Sequence, residues 1–293
     1  MTDEETRKEI DSLLPGRAAP TRREAMKRSL GVGFAAAVLP VMAQTVIKTD
    51  SDGLLAGEVT IQSGAFKMPA YRAAPAGRTG LPVVLVASEI FGVHEHIADV
   101  ARRLAKAGYL AIAPELFVRQ GDAGSFGEIS KLMSEVIAKT PDAQVMADLD
   151  ACVKWAEGQG ADTVRLGITG FCWGGRTSLM YAAHNPAVKA AVPWYGPVAR
   201  AYFPGDKTAL EVASRIKAPV LGLYGAADGG IPNDTVEKLR EALKSAGNTR
   251  SEFMLYADTP HGFNADYRPT YRKTEADDGW KRMLAWFKQH GVA

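Results

Sequence analysis

Residues 44–293 predict an α/β protein: a mostly parallel sheet of about eight strands with helices on both faces. Three observations carry this. Strand-like and helix-like segments alternate from Pro82 to the end of the chain. The run Val83-Val84-Leu85-Val86-Ala87 is continuously apolar, as strands buried on both faces are. Two strands run straight into glycine-bearing turns, at Gly170 and at Gly225, where a parallel strand must hand over to its crossover.

The elements follow in order. Gly57 to Gln62 and Ala65 to Arg72 read as a hairpin turning at Ser63-Gly64. Pro82 introduces the apolar strand, and helical spacing follows from Ile97 to Lys106, ended by Gly108. Tyr109 to Ala113 is the next strand. Residues 114 to 141 carry little helical signal and read as a loop or lid. A helix from Asp142 to Glu157 puts Val145, Leu149, Cys152 and Ala156 on one face, which makes Cys152 a core residue. Leu166 to Gly170, Lys189 to Pro193, Pro219 to Tyr224 and Glu252 to Tyr256 are strands. Arg176 to Ala183, Asn233 to Ala246 and Glu275 to Gln289 are helices. With no internal repeat or low-complexity break, 44–293 reads as one domain.

Composition excludes several classes. The 293 residues are 46% apolar and 23% charged, with 35 Lys and Arg against 33 Asp and Glu, which is the balance of a globular chain. Near-neutrality without a long basic run argues against a nucleic-acid partner. Two cysteines cannot build a disulfide framework or a four-thiolate zinc site, and no cofactor motif appears.

The first 43 residues are a different text. Arg22-Arg23 stands ahead of an apolar stretch from Leu30 to Val41, and Val41-Met42-Ala43 resembles a signal-peptidase site. The paired arginines resemble a twin-arginine signal. The expectation is export by the twin-arginine machinery, cleavage after Ala43 and a periplasmic protein starting at Gln44. A retained anchor or a surface helix is the alternative. The stretch is broken by Gly31, Gly33 and Pro40 and falls short of the ~20 apolar residues a spanning helix needs, so no stable membrane insertion is expected.

The chemistry centres on Gly170-Phe171-Cys172-Trp173-Gly174, the pattern glycine, any residue, nucleophile, any residue, glycine. The glycines allow a strand to turn tightly into a helix, leaving the thiol at a helix start where N–H groups and the dipole favour a thiolate. The Trp173 N–H is placed to stabilise an oxyanion. A thiol nucleophile needs a base, and the base needs an orienting acid. Of the five histidines at 94, 96, 184, 261 and 290, only His261 stands in the loop directly after the last strand, as the order nucleophile, acid, histidine requires, while His290 lies at the chain end. Asp228, after Leu221 to Gly225, supplies the acid. His94-Glu95-His96 reads as a helix opening, without a third ligand for a metal.

These residues resemble the dienelactone hydrolase (carboxymethylenebutenolidase) family of the α/β-hydrolase fold, over about residues 50 to 290. The segments that carry the resemblance are Ser88-Glu89-Ile90-Phe91-Gly92, Pro114-Glu115-Leu116-Phe117-Val118-Arg119, the cysteine elbow, Gly225 to Asp228, and His261-Gly262-Phe263. The resemblance implies a Cys172-His261-Asp228 triad. It further implies that Glu89 contacts the resting thiol, that Ile90 gives a second oxyanion N–H, and that Arg119 binds a substrate carboxylate. Typical members place a second arginine where this chain has Ala265, with Arg268 or Arg272 as possible replacements. Phe91, Phe117, Tyr195 and Phe263 are candidate pocket residues, with Trp194 beside them. The implied activity is opening of activated lactones or esters through a thioester. A carboxylesterase, thioesterase or acyl transferase of the same fold is the alternative, ahead of a thiol-redox or non-catalytic binding protein.

Overall fold

The computed structural model describes residues 47–293. The expected signal segment, residues 1 to 43, therefore lies outside the described residues. The chain enters along the first helix, where the Thr49 N–H donates to Asp99 Oδ1 at 2.6 Å and Arg102 Nε donates to Thr49 O at 2.8 Å.

Eight strands form one sheet in the order β1-β2-β4-β3-β5-β6-β7-β8. They are β1 (Leu54–Ser63), β2 (Phe66–Pro75), β3 (Pro82–Ala87), β4 (Leu110–Pro114), β5 (Asp162–Phe171), β6 (Val188–Trp194), β7 (Leu221–Gly225) and β8 (Glu252–Tyr256). Only the β1/β2 and β2/β4 pairs are antiparallel. Seven α-helices are described: α1 (Glu95–Lys106), α2 (Ile129–Glu135), α3 (Asp142–Gly158), α4 (Trp173–His184), α5 (Ala209–Val212), α6 (Asn233–Ser245) and α7 (Lys273–Gln289). Helices α1 and α7 meet through Arg103, stacked 3.8 Å from the Trp280 ring centroid, and α7 puts Phe287 against the β5 backbone at Gly167. Helices α3 and α4 pack together against β5. All of β3, the predicted apolar strand, is buried.

The α3 face that spacing predicts is the buried one: Val145, Leu149, Cys152 and Ala156 are each 0% exposed. Burial pushes the Cys152 thiol up, helped by Asp148, so it stays protonated and inert. Several boundaries differ from expectation, for local reasons. The hairpin is longer because cross-strand pairing continues from Gly57↔Arg72 out to Leu54↔Pro75, past the clean alternation. Strand β5 begins at Asp162 instead of Leu166, with a polar start leading to the exposed Val164. Helix α4 begins at Trp173 and not Arg176, because Gly174 and Gly175 are tolerated in its first turn despite their poor helix propensity. Within 114–141 the chain forms α2 and two single 3₁₀ turns.

Register sets the chemistry. Strands β3, β5 and β6 are parallel, with Ala87 opposite Gly170 and Phe171 opposite Trp194. Their carboxyl ends therefore bring Ser88-Glu89-Ile90, Cys172 and Tyr195 to one edge of the sheet, with Asp228 and His261 beyond the ends of β7 and β8. This is where open parallel sheets collect ligand-binding loops.

Candidate active site

Cys172 caps α4 with φ 55° and ψ −118°, a conformation an L-residue adopts only when its surroundings force it. Glycine makes the turn possible. A Cβ on Gly170 would come 2.1 Å from Gly174 O, and one on Gly174 would come 2.1 Å from Ala87 O. The Cys172 N–H donates to Trp194 O at 3.0 Å, while its carbonyl accepts from Gly175 and Arg176. The Trp173 N–H lies ahead of that ladder, in the turn whose donors have no intrahelical acceptor. Gly174 touches Ala87 and Ser88, so the start of α4 and the β3–α1 turn carrying Ile90 are adjacent backbone. Ile90 is buried there.

The loops after β7 and β8 bring Asp228 and His261 together. Asp228 Oδ2 lies 2.7 Å from His261 Nδ1. The other carboxylate oxygen accepts the Gly230 and Ile231 N–H groups at 2.9 and 3.2 Å. Nδ1 is thus engaged by the carboxylate, which leaves the buried Nε2 as the nitrogen available to the neighbouring Cys172. Burial alone would push this imidazole down, but Asp228, and after it Cys172, outweigh burial and hold it well above its ordinary value.

Glu89 is fully buried beside the elbow. One oxygen accepts from the Tyr267 hydroxyl and from Arg268 Nη2, the latter at 3.2 Å, while Oε1 has no hydrogen-bond partner among the described residues. Burial would raise this carboxyl, yet Arg268 and the Tyr267 hydrogen bond lower it below the usual range, so it is ionised. The resemblance implies a Glu89 contact with the resting thiol. Among the described residues the hydrogen bonds of Glu89 go to Tyr267 and Arg268 instead.

The arginines divide clearly. Arg119 holds the buried Asp148 with both terminal nitrogens, Nη2 to Oδ1 at 2.7 Å, and lies over the Phe66 ring at 4.3 Å. Ser63 Oγ also donates to Asp148, so Arg119 is committed to the β1–β2 hairpin and α3. Arg272 is exposed and bonds to the carbonyls of Pro269 and Tyr271. Arg268 enters the site: it is buried against Glu89, lies 5.3 Å over the Phe91 ring, and keeps Nη1 without a hydrogen-bond partner among the described residues. The loop after His261 explains its reach. Successive turns, Ala265 N–H to Gly262 O and Arg268 N–H to Ala265 O, roll the chain up and return Arg268 to within 3.3 Å of a Cβ built on Gly262. Ala265 itself is buried.

The aromatic candidates take defined places. Phe117 packs on Trp173 with centroids 4.5 Å apart, and Phe91 lies under Arg268. Phe263 is buried among Trp194, Tyr195 and Tyr256. The Tyr195 ring stands edge-on to His261 at 5.0 Å.

Tyr267 and Asp266 are participants that the sequence does not single out, and the histidine pair, expected only as a helix opening, joins them. His94 precedes α1 as expected and is buried against Tyr267, with centroids 4.9 Å apart. Burial, then His96, pushes it down to about 3, so it is neutral. His96 Nδ1 bonds Asp266 Oδ1 at 2.9 Å, and Asp266 Oδ2 accepts the Ile47 N–H at 2.8 Å. No periodic signal could have found these contacts, because they join segments far apart in sequence through an irregular loop. Among the described residues no group of three His, Cys, Asp or Glu is arranged to hold a metal ion. A surface groove bounded by Leu55, Arg72, Leu81 and Trp155 sits at the opposite ends of the strands and contains none of these groups.

Comparison with known proteins agrees with this architecture. Residues 68–291 match the sequence profile of the dienelactone hydrolase family. A protein of Methylorubrum extorquens named as a carboxymethylenebutenolidase is 55% identical over 294 residues, covering 97% of this chain and 99% of its own. One of Escherichia coli K12 bearing the same name is 52% identical over 266 residues, covering 88% of this chain and 96% of its own. The crystal structure of a protein described as a dienelactone hydrolase from Klebsiella pneumoniae superposes with a TM-score of 0.78 at 53% identity, over 80% of this chain and 99% of its own. The chain belongs to the dienelactone hydrolase family and is a carboxylic ester hydrolase of the α/β-hydrolase fold.

Proposed function

We propose that this hydrolase opens activated lactones and esters through a Cys172-His261-Asp228 triad and a thioester intermediate. The observation that carries the reading is the buried imidazole of His261, oriented by Asp228 through Nδ1 and coupled to a strained Cys172. His261 takes the thiol proton and Cys172 Sγ attacks the carbonyl. The Trp173 and Ile90 N–H groups hold the oxyanion. Collapse expels the alkoxide or enolate, and His261 then activates water against the thioester. Thiolate is itself a good leaving group, so the tetrahedral intermediate partitions forward only when the departing oxygen is better. Enol lactones and aryl esters satisfy this condition; amides and simple alkyl esters do not.

The carboxymethylenebutenolidase name of its relatives describes a lactone bearing a carboxylate. In this chain the group able to meet that carboxylate is Arg268, with its free Nη1. A substrate carboxylate that engages Arg268 weakens its hold on Glu89, freeing that carboxylate to help ionise the thiol. A second reading, hydrolysis of neutral esters, is favoured by one observation: Arg119 is already saturated by Asp148, leaving a single arginine for a charged substrate. The twin-arginine export machinery and the periplasm belong to this proposal through residues 1 to 43.

The test is Cys172→Ala together with His261→Ala on 4-nitrophenyl acetate. Removing a triad member costs on the order of 10⁴-fold or more in turnover. His261→Ala should accumulate an acyl adduct on Cys172, read by intact mass. Near-wild-type kcat/KM in Cys172→Ala refutes the mechanism.

A further inference from the structure

We propose that the Tyr195 hydroxyl is a catalytic hydrogen-bond donor, steadying the leaving oxygen as the Cys172 thioester forms. The proposal rests on the reading of Cys172 as nucleophile and adds a residue to that reaction.

Backbone geometry is the first support. Tyr195 adopts φ 38°, and Cys172, Tyr195 and Asp258 are the non-glycine residues with positive φ among the described ones. For a bulky aromatic such a φ costs about 1–3 kcal/mol and persists only where the surroundings over-determine it. They do so here. The Tyr195 N–H donates to Leu223 O at 2.8 Å, and the next residue, Gly196, is pressed so close to α4 that a Cβ would lie 2.5 Å from Arg176 N. The preceding residue, Trp194, accepts the Cys172 N–H. Two strained residues thus sit on either side of one interstrand hydrogen bond, both aimed at the same edge of the sheet.

The hydroxyl is the second support. The ring packs edge-on to His261 at 5.0 Å and to Phe263 at 5.3 Å, contacts a phenylalanine would make equally well. The oxygen, however, is buried and has no hydrogen-bond partner among the described residues. Neighbouring tyrosines are satisfied: Tyr224 donates to Gly196 O at 3.2 Å, and Tyr267 donates to Glu89. A buried hydroxyl left unpaired costs about 1–3 kcal/mol, a penalty a structural residue would shed by becoming phenylalanine. Glu89, Arg268, Tyr267 and Cys172 all act on this hydroxyl electrostatically, and its ring stands against His261, so Tyr195 belongs to the same buried cluster. Burial, with Glu89 next, holds it well above its ordinary value, so it serves as a neutral donor and not as a base.

The position beside His261 identifies the oxygen it serves. The Trp173 and Ile90 N–H groups face the acyl oxygen, whereas His261 must return its proton to the leaving atom. When the tetrahedral intermediate collapses, the C=O bond re-forms and the bond to the leaving oxygen breaks. That oxygen keeps the bonding pair, receives the Tyr195 hydrogen bond, and then takes the proton His261 accepted from Cys172. The acyl group remains on Sγ.

The experiment compares wild type with Tyr195→Phe on acetate esters running from 4-nitrophenyl through phenyl to 4-methoxyphenyl. With the most activated ester the loss should be slight. With the least activated it should reach about 10²-fold, the scale of one lost oxyanion donor. The plot of log kcat/KM against leaving-group pKa should therefore steepen. An equal loss on every ester, or no loss on any, overturns the role, since repacking alone would not depend on the leaving group. Turnover of the same series by Cys172→Ala at the wild-type rate overturns this proposal together with the reading beneath it. Cys172-dependent turnover with an unchanged slope overturns the Tyr195 role alone.

Discussion

A single guanidinium decides how this site treats charge. Arg268 is wholly inside the protein, and the buried Glu89 carboxylate is its ionic partner. Burial would discharge the arginine, but Glu89 and Tyr267 raise it, so it remains a cation. Under the proposed function, its Nη1, without a hydrogen-bond partner among the described residues, favours a carboxylate-bearing substrate over a neutral one. Arg268→Ala should therefore lower kcat/KM on a carboxylate-bearing lactone by about 10- to 100-fold, the worth of one charge-assisted hydrogen bond. The same variant also leaves Glu89 buried with only Tyr267, so neutral esters should lose something too, but less. Steady-state kinetics on a matched pair, one lactone with a carboxylate and one with its methyl ester, measures the ratio. Equal losses on both would assign Arg268 to the support of Glu89 alone. Legibility at this scale was uneven. That Cys172, Asp228 and His261 lie beyond one end of the sheet is legible because each follows a strand in chain order. Arg268 could be named only as one of two alternatives, since linear spacing cannot describe a loop that rolls through two consecutive turns.

The elements are legible where periodicity is strong and fail where glycine or irregular turns carry the structure. Helix α3 was read to within a residue because four apolar positions recur on one face. The start of α4 falls three residues before the predicted Arg176 because its opening glycines look like a turn, and that turn is the element that holds Cys172 in its strained conformation. Gly174→Ala tests this. Its Cβ would meet Ala87 O at 2.1 Å and Ser88 O at 2.5 Å, backbone on a buried central strand that cannot move aside. A loss of stability of about 3 kcal/mol or more is expected, together with loss of turnover as the elbow opens. Gly158→Ala is the matched control. It lies at the exposed end of α3 with nothing near the added methyl group, and should be neutral or stabilising by up to about 1 kcal/mol. Urea unfolding midpoints of the two variants give the comparison, and similar midpoints would dismiss the steric account of the elbow.

At the scale of the whole molecule, near-neutral charge provides no long-range attraction for anionic substrates, so any selectivity has to come from Arg268 and its neighbours. The same scale governs how the chain's beginning relates to its chemistry. Ile47 donates to Asp266, Asp266 holds His96, and the residues directly after Asp266 are the Tyr267 and Arg268 that grip Glu89. Cleavage after Ala43 would leave a chain starting at Gln44, three residues upstream of this anchor, and would keep every one of those bonds. If the proposed export and cleavage hold, N-terminal sequencing of the periplasmic fraction begins at Gln44, and a start before residue 30 rules cleavage out. The anchor adds a second, independent expectation. A chain starting at Asp50 lacks the Ile47 and Thr49 bonds to Asp266 and Asp99. Each such hydrogen bond to a charged group contributes about 1.5–3 kcal/mol, so this shorter chain should melt below the Gln44 form and lose turnover as the 261–272 loop loosens. Equal melting temperature and equal kcat/KM for the two forms would show that residues 47–49 are passive, whatever the processing site proves to be.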